Sequence, residues 1–131
     1  MRLRMESSQC IVDSSLFVAF YRDIDALHSD ALRVMDELSE SVLVVHPYVI
    51  QETATVLTYR CGIAVAKHFL SDIENAANVI IPAVDARYDM RRFASVKKKI
   101  SFTDAALIDL SRTTGAKIFT FDRQILTFFK A

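Results

Sequence analysis

The first regular feature is Cys10-Ile11-Val12, a short apolar, partly β-branched run that stops at Asp13-Ser14-Ser15. An apolar run followed by capping residues predicts a buried strand feeding a helix. A short helix is expected over Leu16 to Tyr21. From Leu27 the apolar residues Leu27, Ala31, Val34, Met35 and Leu38 recur at the spacing of an amphipathic helix. Val42-Leu43-Val44-Val45 is a second apolar run, and His46-Pro47 ends it with a proline suited to the first turn of a helix. On that helix Ile50, Ala54, Leu57 and Cys61 mark one face, and Gly62 supplies a C-terminal stop. A further amphipathic helix carries Ile63, Ala66, Phe69, Leu70, Ile73 and Ala77 and leads to a third run, Val79-Ile80-Ile81-Pro82.

The second half continues the alternation. A helix from about Asp85, with Ala86, Met90 and Phe93 on one side, is expected to run into Lys97-Lys98-Lys99. Ser101-Phe102-Thr103-Asp104 has the signature of a capped helix start, and the largely apolar helix behind it closes at Gly115. Lys117 to Phe121 reads as a fourth strand ending at Asp122, and Ile125 to Phe129 as a last short turn or helix. Strands that are apolar throughout and separated by helices indicate a parallel sheet covered on both faces. The expected class is therefore α/β, a three-layer α/β/α arrangement.

Composition narrows the function classes. A chain of 131 residues, 52% hydrophobic with two Gly and two Pro, leaves little room for long loops, and one domain over residues 1–131 is expected. Residues 1–8 are expected to form a frayed arm; they carry charges but no secretory signal. With 16 basic and 16 acidic residues the formal net charge is zero, so no overall field draws the chain onto a polyanion or an anionic membrane. A nucleic acid would have to be held locally. No apolar run approaches the ~20 residues that span a bilayer. Cys10 and Cys61 lie in apolar surroundings at no metal-binding spacing and read as free buried thiols of a reducing cytoplasm.

Four acids, Asp13, Glu52, Asp104 and Asp122, share a topological property. In a parallel βαβ fold a helix that follows a strand starts at the carboxyl edge of the sheet. Asp13 and Asp122 directly follow strands, Glu52 lies about one turn into the helix after the second strand, and Asp104 opens the helix that leads into the fourth. All four are thus expected on one rim, where open α/β sheets bind ligands. Each also has a structural reading. Asp13 could cap a helix and Asp104 could complete a capping box with Ser101. Glu52 has the weakest such excuse, because Val49 and Val56 flank it on one helical face and a carboxylate among valines needs a partner. Asp109 points about 140° away from Asp104 around the helix and is left out of the site. Crowded carboxylates repel unless cations neutralise them, and an oxygen-only donor set suits Mg²⁺ or Mn²⁺. His28, His46 and His68 lack a second ligand at helical spacing and read as surface or capping residues.

These motifs resemble the PIN domain, the metal-dependent nuclease fold of VapC-like toxins in toxin–antitoxin pairs. The resemblance runs from Val12-Asp13-Ser14-Ser15 to Phe121-Asp122. The family's first acid and following hydroxyl fall on Asp13 and Ser14, its helix Glu on Glu52, its third acid on Asp104, and its late Thr-x-Asp element on Thr120-Phe121-Asp122. Two features depart from the family pattern: Lys97-Lys98-Lys99-Ile100 stands where a Gly often precedes the third acid, and little chain follows Asp122 for a fifth strand. The resemblance implies four or five strands in an order near 3-2-1-4. It also implies a ribonuclease with catalytic metal ligands Asp13, Glu52, Asp104 and Asp122, and with Ser14 and Thr120 supporting them or the substrate. Its partners would be RNA, an antitoxin protein and a second copy of the chain, the last also suggested by apolar residues around the helix bearing Val49, Ile50, Ala54, Val56 and Leu57. Arg87, Arg91, Arg92, Lys97, Lys98, Lys99 and Arg123 are the candidate phosphate contacts; a solvated helix face is the plainer reading of all but Arg123, which could simply neutralise Asp122. The alternatives are a silent PIN-like binding module and an RNA-processing nuclease without an antitoxin. A signalling receiver domain would need an Asp after the third strand, where this chain has Ile81-Pro82-Ala83.

Overall fold

The computed structural model describes residues 8–130, apart from the side chains of residues 129 and 130. Four strands form one parallel sheet: β1 (Gln9–Val12), β2 (Val42–Val44), β3 (Val79–Ile80) and β4 (Lys117–Phe119), in the order β3-β2-β1-β4. β1 is the central strand, with Ile11 opposite Val44 on one side and Ile118 on the other. Cys10, Ile11 and Val12 are all buried, which is why this run is apolar throughout and does not alternate.

The helices are α1 (Ser14–Tyr21), α2 (His28–Glu37), α3 (Pro47–Cys61), α4 (Ile63–Asn75), α5 (Ala86–Ala94), α6 (Phe102–Thr114) and α7 (Arg123–Lys130). From β1 through β2 to β3 the chain steps in one direction across the sheet, and from β3 to β4 it steps back. Right-handed crossovers therefore place α1 to α4 on one face and α5 and α6 on the other. The packing agrees, since α1 meets α2 and α3, α3 meets α4, and α5 meets α6. Phe17 of α1 and Phe69 of α4 are fully buried with ring centroids 5.1 Å apart. Burying such a side chain stabilises the fold by roughly 1.5–3 kcal/mol. The reversal of direction puts the switch point of the sheet between β1 and β4, where Asp13 and Asp122 emerge.

Several boundaries differ from the sequence pattern. Ser8, expected in the arm, accepts a hydrogen bond from Val42 N (2.9 Å) and so extends the β1–β2 pairing; residues 1–7 lie outside the described residues. β3 and β4 are shorter than their apolar runs, and Ile80 and Ile81 are half exposed at the sheet edge. Helix α5 stops at Ala94, so Lys97 to Lys99 lie in a connection and not on a helix, and α5 buries no residue at all. The core face of α3 is Val49, Thr53 and Leu57, with Ile50 and Cys61 only partly buried against it. Cys61 is thus a half-buried free thiol, and Cys10 a fully buried one. Because Val49 and Leu57 are spent on the core, the exposed apolar residues nearest α3 are Tyr59 and Ile63 at its junction with α4. Among the described residues no helix is long and apolar enough to cross a membrane.

Thr53 is fully buried and its hydroxyl has no hydrogen-bond partner among the described residues. An unsatisfied buried hydroxyl costs roughly 1–3 kcal/mol. Thr53→Val keeps the branched shape and removes the hydroxyl, so it is expected to stabilise the protein by about 1 kcal/mol. Urea unfolding checks this through a raised midpoint at unchanged slope.

Candidate active site

The site is built where β1 and β4 end side by side. Asp13 N donates to Phe119 O (3.0 Å), which pins the exit of β1 to the last residue of β4. Asp13 occupies the N-cap position of α1 with extended backbone, but its side chain makes no capping hydrogen bond. Instead its Oδ2 accepts from Ser15 Oγ (2.8 Å) and from Thr120 Oγ1 (2.7 Å). Asp13 is 3% exposed. Capping therefore does not explain Asp13; two hydroxyls fix its rotamer and orient it.

Thr120 and Asp122 belong to the turn after β4 and not to the strand. Ending the strand at Phe119 frees the chain to fold back on itself, with Asp122 N donating to Thr120 Oγ1 (2.8 Å) and Phe121 N to Ser15 Oγ (2.9 Å). Ser15 thereby ties the β1–α1 turn to the β4–α7 turn. Sequence reasoning passed over it as one more residue of a capping cluster. The available signal was the second consecutive hydroxyl after Asp13. Asp122 keeps a partly structural role, because Gln124 N donates to its Oδ1 (2.8 Å) at the start of α7.

Glu52, in α3, is half buried, and Ser14 Oγ donates to its Oε1 at 2.5 Å. This is the partner that a carboxylate among valines needs. Asp104 is the third residue of α6, and its backbone N–H donates to the N-cap Ser101 Oγ (3.0 Å). The residue is 8% exposed, and its carboxyl pKa is raised to about 6. Burial is the main cause, followed by the negative charges of Asp13 and Asp122, with Glu52 adding a smaller push; the hydrogen bond with Ser101 partly offsets them. Asp104 thus feels the charge of all three other acids, which come from three separate parts of the fold.

The remaining candidates separate. Tyr88 Oη donates to Asp109 (2.8 Å) and Arg92 Nη2 lies 3.0 Å from it, so Asp109 clasps α5 to α6 outside the acid cluster and occupies Arg92. Arg87 and Arg91 are exposed on α5. Arg123 is the exposed first residue of α7, directly after Asp122. Of the histidines, His46 caps α3 by accepting from Tyr48 N (3.0 Å), and burial lowers its pKa. His28 bonds the Ala19 carbonyl (2.8 Å) and His68 faces Asp72. Among the described residues no three His, Cys, Asp or Glu side chains are already arranged as ligands of a single ion.

Comparison with known proteins agrees with this geometry. No curated protein matches the chain. Among solved structures the chain is similar to the crystal structure of Mycobacterium tuberculosis VapC20, a sarcin–ricin loop-cleaving toxin. The two share 25% sequence identity with a TM-score of 0.78, over 90% of this chain and 93% of that one. The PIN domain model matches residues 10–128, from the middle of β1 into α7. The chain belongs to the PIN domain family.

Proposed function

We propose that this protein is a Mg²⁺- or Mn²⁺-dependent endoribonuclease that hydrolyses RNA phosphodiester bonds and serves as the toxin of a toxin–antitoxin pair. The single observation that carries the reading is geometric: Asp13 and Asp122 emerge side by side from β1 and β4, and with Glu52 they lie near enough to the buried Asp104 for their charges to act on it. A buried carboxyl under that potential is held at a cost unless a cation or a proton relieves it. The donor set is oxygen only, which fits a hard divalent cation. Asp13, Glu52, Asp104 and Asp122 would hold it.

A bound divalent ion would supply an acidified water and stabilise negative charge on the phosphate. The chain's own residues supply position. Ser15 and Thr120 hold one oxygen of Asp13, which leaves the carboxylate oriented without using it as a cap. Ser14 performs the same service for Glu52. Such outer hydrogen bonds fix ligand direction and are worth about 10–100-fold in metal affinity or activity. A cognate antitoxin and pairing of two copies belong to the same reading.

The test is cleavage of RNA with Mg²⁺ or Mn²⁺ against a chelator control. The sarcin–ricin loop is the first substrate to try, because it is the one cut by the structural relative. Cleavage in metal, none in chelator, and products without a 2′,3′-cyclic phosphate are expected, because water and not the ribose 2′-hydroxyl is the nucleophile. Undiminished cleavage in chelator would refute metal dependence. No cleavage under any condition would leave a binding module.

A further inference from the structure

Two adjoining grooves beside α6 and α7 concentrate positive charge in a chain of zero formal net charge. The first, of about 260 Å³, is lined by Lys97, Lys98, Ile100, Arg112 and Phe128 among others. The second, of the same size, is lined by Lys98, Lys99, Ile100, Arg123 and Phe128 among others. Lys98, Ile100 and Phe128 belong to both, so the two form one channel. Six of the chain's 16 basic residues line it: Arg92 and a further five, Lys97, Lys98, Lys99, Arg112 and Arg123. Among the described residues none of the five pairs with a carboxylate. Asp109 is the one acid in the lining, and Arg92 already neutralises it at 3.0 Å. Lys98 Nζ and the Arg112 guanidinium sit 5.3 Å and 4.8 Å from the centre of the Phe128 ring, which orders the two cations without cancelling their charge.

Arg123, which lines the second groove, directly follows Asp122 of the acid cluster, while Lys97 and Arg112 line the first groove. We propose that this channel is a backbone track for RNA, taking the phosphodiester chain that flanks the cleaved bond. The inference rests on the nuclease reading above. It departs from the sequence expectation by adding Arg112 and Phe128, and by leaving out Arg87 and Arg91 on α5 and Arg92, which Asp109 occupies. A carboxylate-rich peptide is the competing occupant. The placement of Arg123 directly after Asp122 favours RNA, because only a phosphodiester chain has a reacting group to deliver to the acid cluster.

The test is fluorescence anisotropy of a labelled single-stranded RNA in chelator, across a salt series. It compares the native protein with Lys98→Gln/Arg112→Gln and with Lys97→Gln, which leaves the contacts with Phe128 untouched. Each lost phosphate contact is expected to flatten the slope of log K against log salt by ~0.7, hence ~1.4 for the double variant and ~0.7 for the single. In metal, the double variant is expected to raise KM about 10-fold with kcat within about two-fold, at an unchanged Mn²⁺-induced melting shift. Native affinity and native slope in both variants would overturn the proposal. Polyglutamate competing as well as RNA of equal charge would overturn RNA as the occupant. RNA bound through the channel but never cut by the native protein would support the track while refuting the nuclease reading.

Discussion

Replacing Asp104 with Asn is expected to slow RNA cleavage at least about 10³-fold, roughly 4 kcal/mol, while making the metal-free protein more stable. The two effects share a cause. In the folded protein the Asp104 pKa is raised from 3.8 to about 6 by burial and by Asp13, Asp122 and Glu52. Between those values the folded state binds more protons than the unfolded state, so the contribution of this group to stability falls as pH rises. It is greatest below about pH 4 and is gone above about pH 6. At neutral pH the ionised group then carries a penalty of up to roughly 2–3 kcal/mol at about 1.4 kcal/mol per pKa unit. Asn does not titrate. In chelator at pH 7 the Asp104→Asn variant should melt up to roughly 6–15 °C above the native protein, and the difference should vanish near pH 4. Calorimetry at the two pH values checks this. A variant less stable than the native protein at pH 7 in chelator would mean that Asp104 is a structural cap.

The second large effect is the response to metal. A ligand that binds only the folded state stabilises it by about 2.7 kcal/mol at 100 times its dissociation constant. Millimolar Mn²⁺ is therefore expected to raise the melting temperature of the native protein by several degrees at pH 7.5. Asp13→Asn should abolish most of that rise, because Asp13 is the most deeply placed of the four carboxylates and the one that Ser15 and Thr120 orient. Acidification through about pH 6 should weaken the response, since Asp104 must lose its proton to act as a ligand. Thermal melts with and without Mn²⁺ at pH 5 and pH 7.5 read both effects. An equal rise in native and Asp13→Asn protein would place the ion elsewhere.

How much of this was legible in the sequence follows from what kind of signal each feature leaves. The apolar runs at Cys10, Val42, Val79 and Lys117 marked the four strands, because strands buried on both faces leave no polar alternation. Strand direction then carried Asp13, Glu52, Asp104 and Asp122 to one rim, since chirality and parallel pairing fix strand ends without side-chain detail. Burial faces were harder. On α3 the residues Val49, Ile50, Thr53, Ala54, Leu57 and Cys61 offer two overlapping apolar stripes, and packing chose the one through the unsatisfied Thr53. The periodicity of α5 misled, because Met90 and Phe93 are exposed and the helix is held by polar clasps, Tyr48 to Asp89 and Tyr88 to Asp109. Arg112 left no signal that a linear reading could weigh, and Ser15 only the weak one of a second hydroxyl after Asp13. Ser15 acts by joining turns more than 100 residues apart, and Arg112 by facing a groove that only the packing of α6 and α7 creates.

If four dispersed carboxylates form one metal-dependent centre that cuts RNA, each should matter in single-turnover cleavage of one labelled RNA in Mn²⁺, comparing the native protein with Asp13→Asn, Glu52→Gln, Asp104→Asn and Asp122→Asn, each first shown to be folded. Cleavage by the native protein is expected, with losses of at least about 10³-fold in Asp13→Asn and Asp104→Asn. Smaller losses are expected in Glu52→Gln and in Asp122→Asn, where Gln124 N already uses one oxygen. Native rates in folded Asp13→Asn and Asp104→Asn would contradict a single metal-dependent centre.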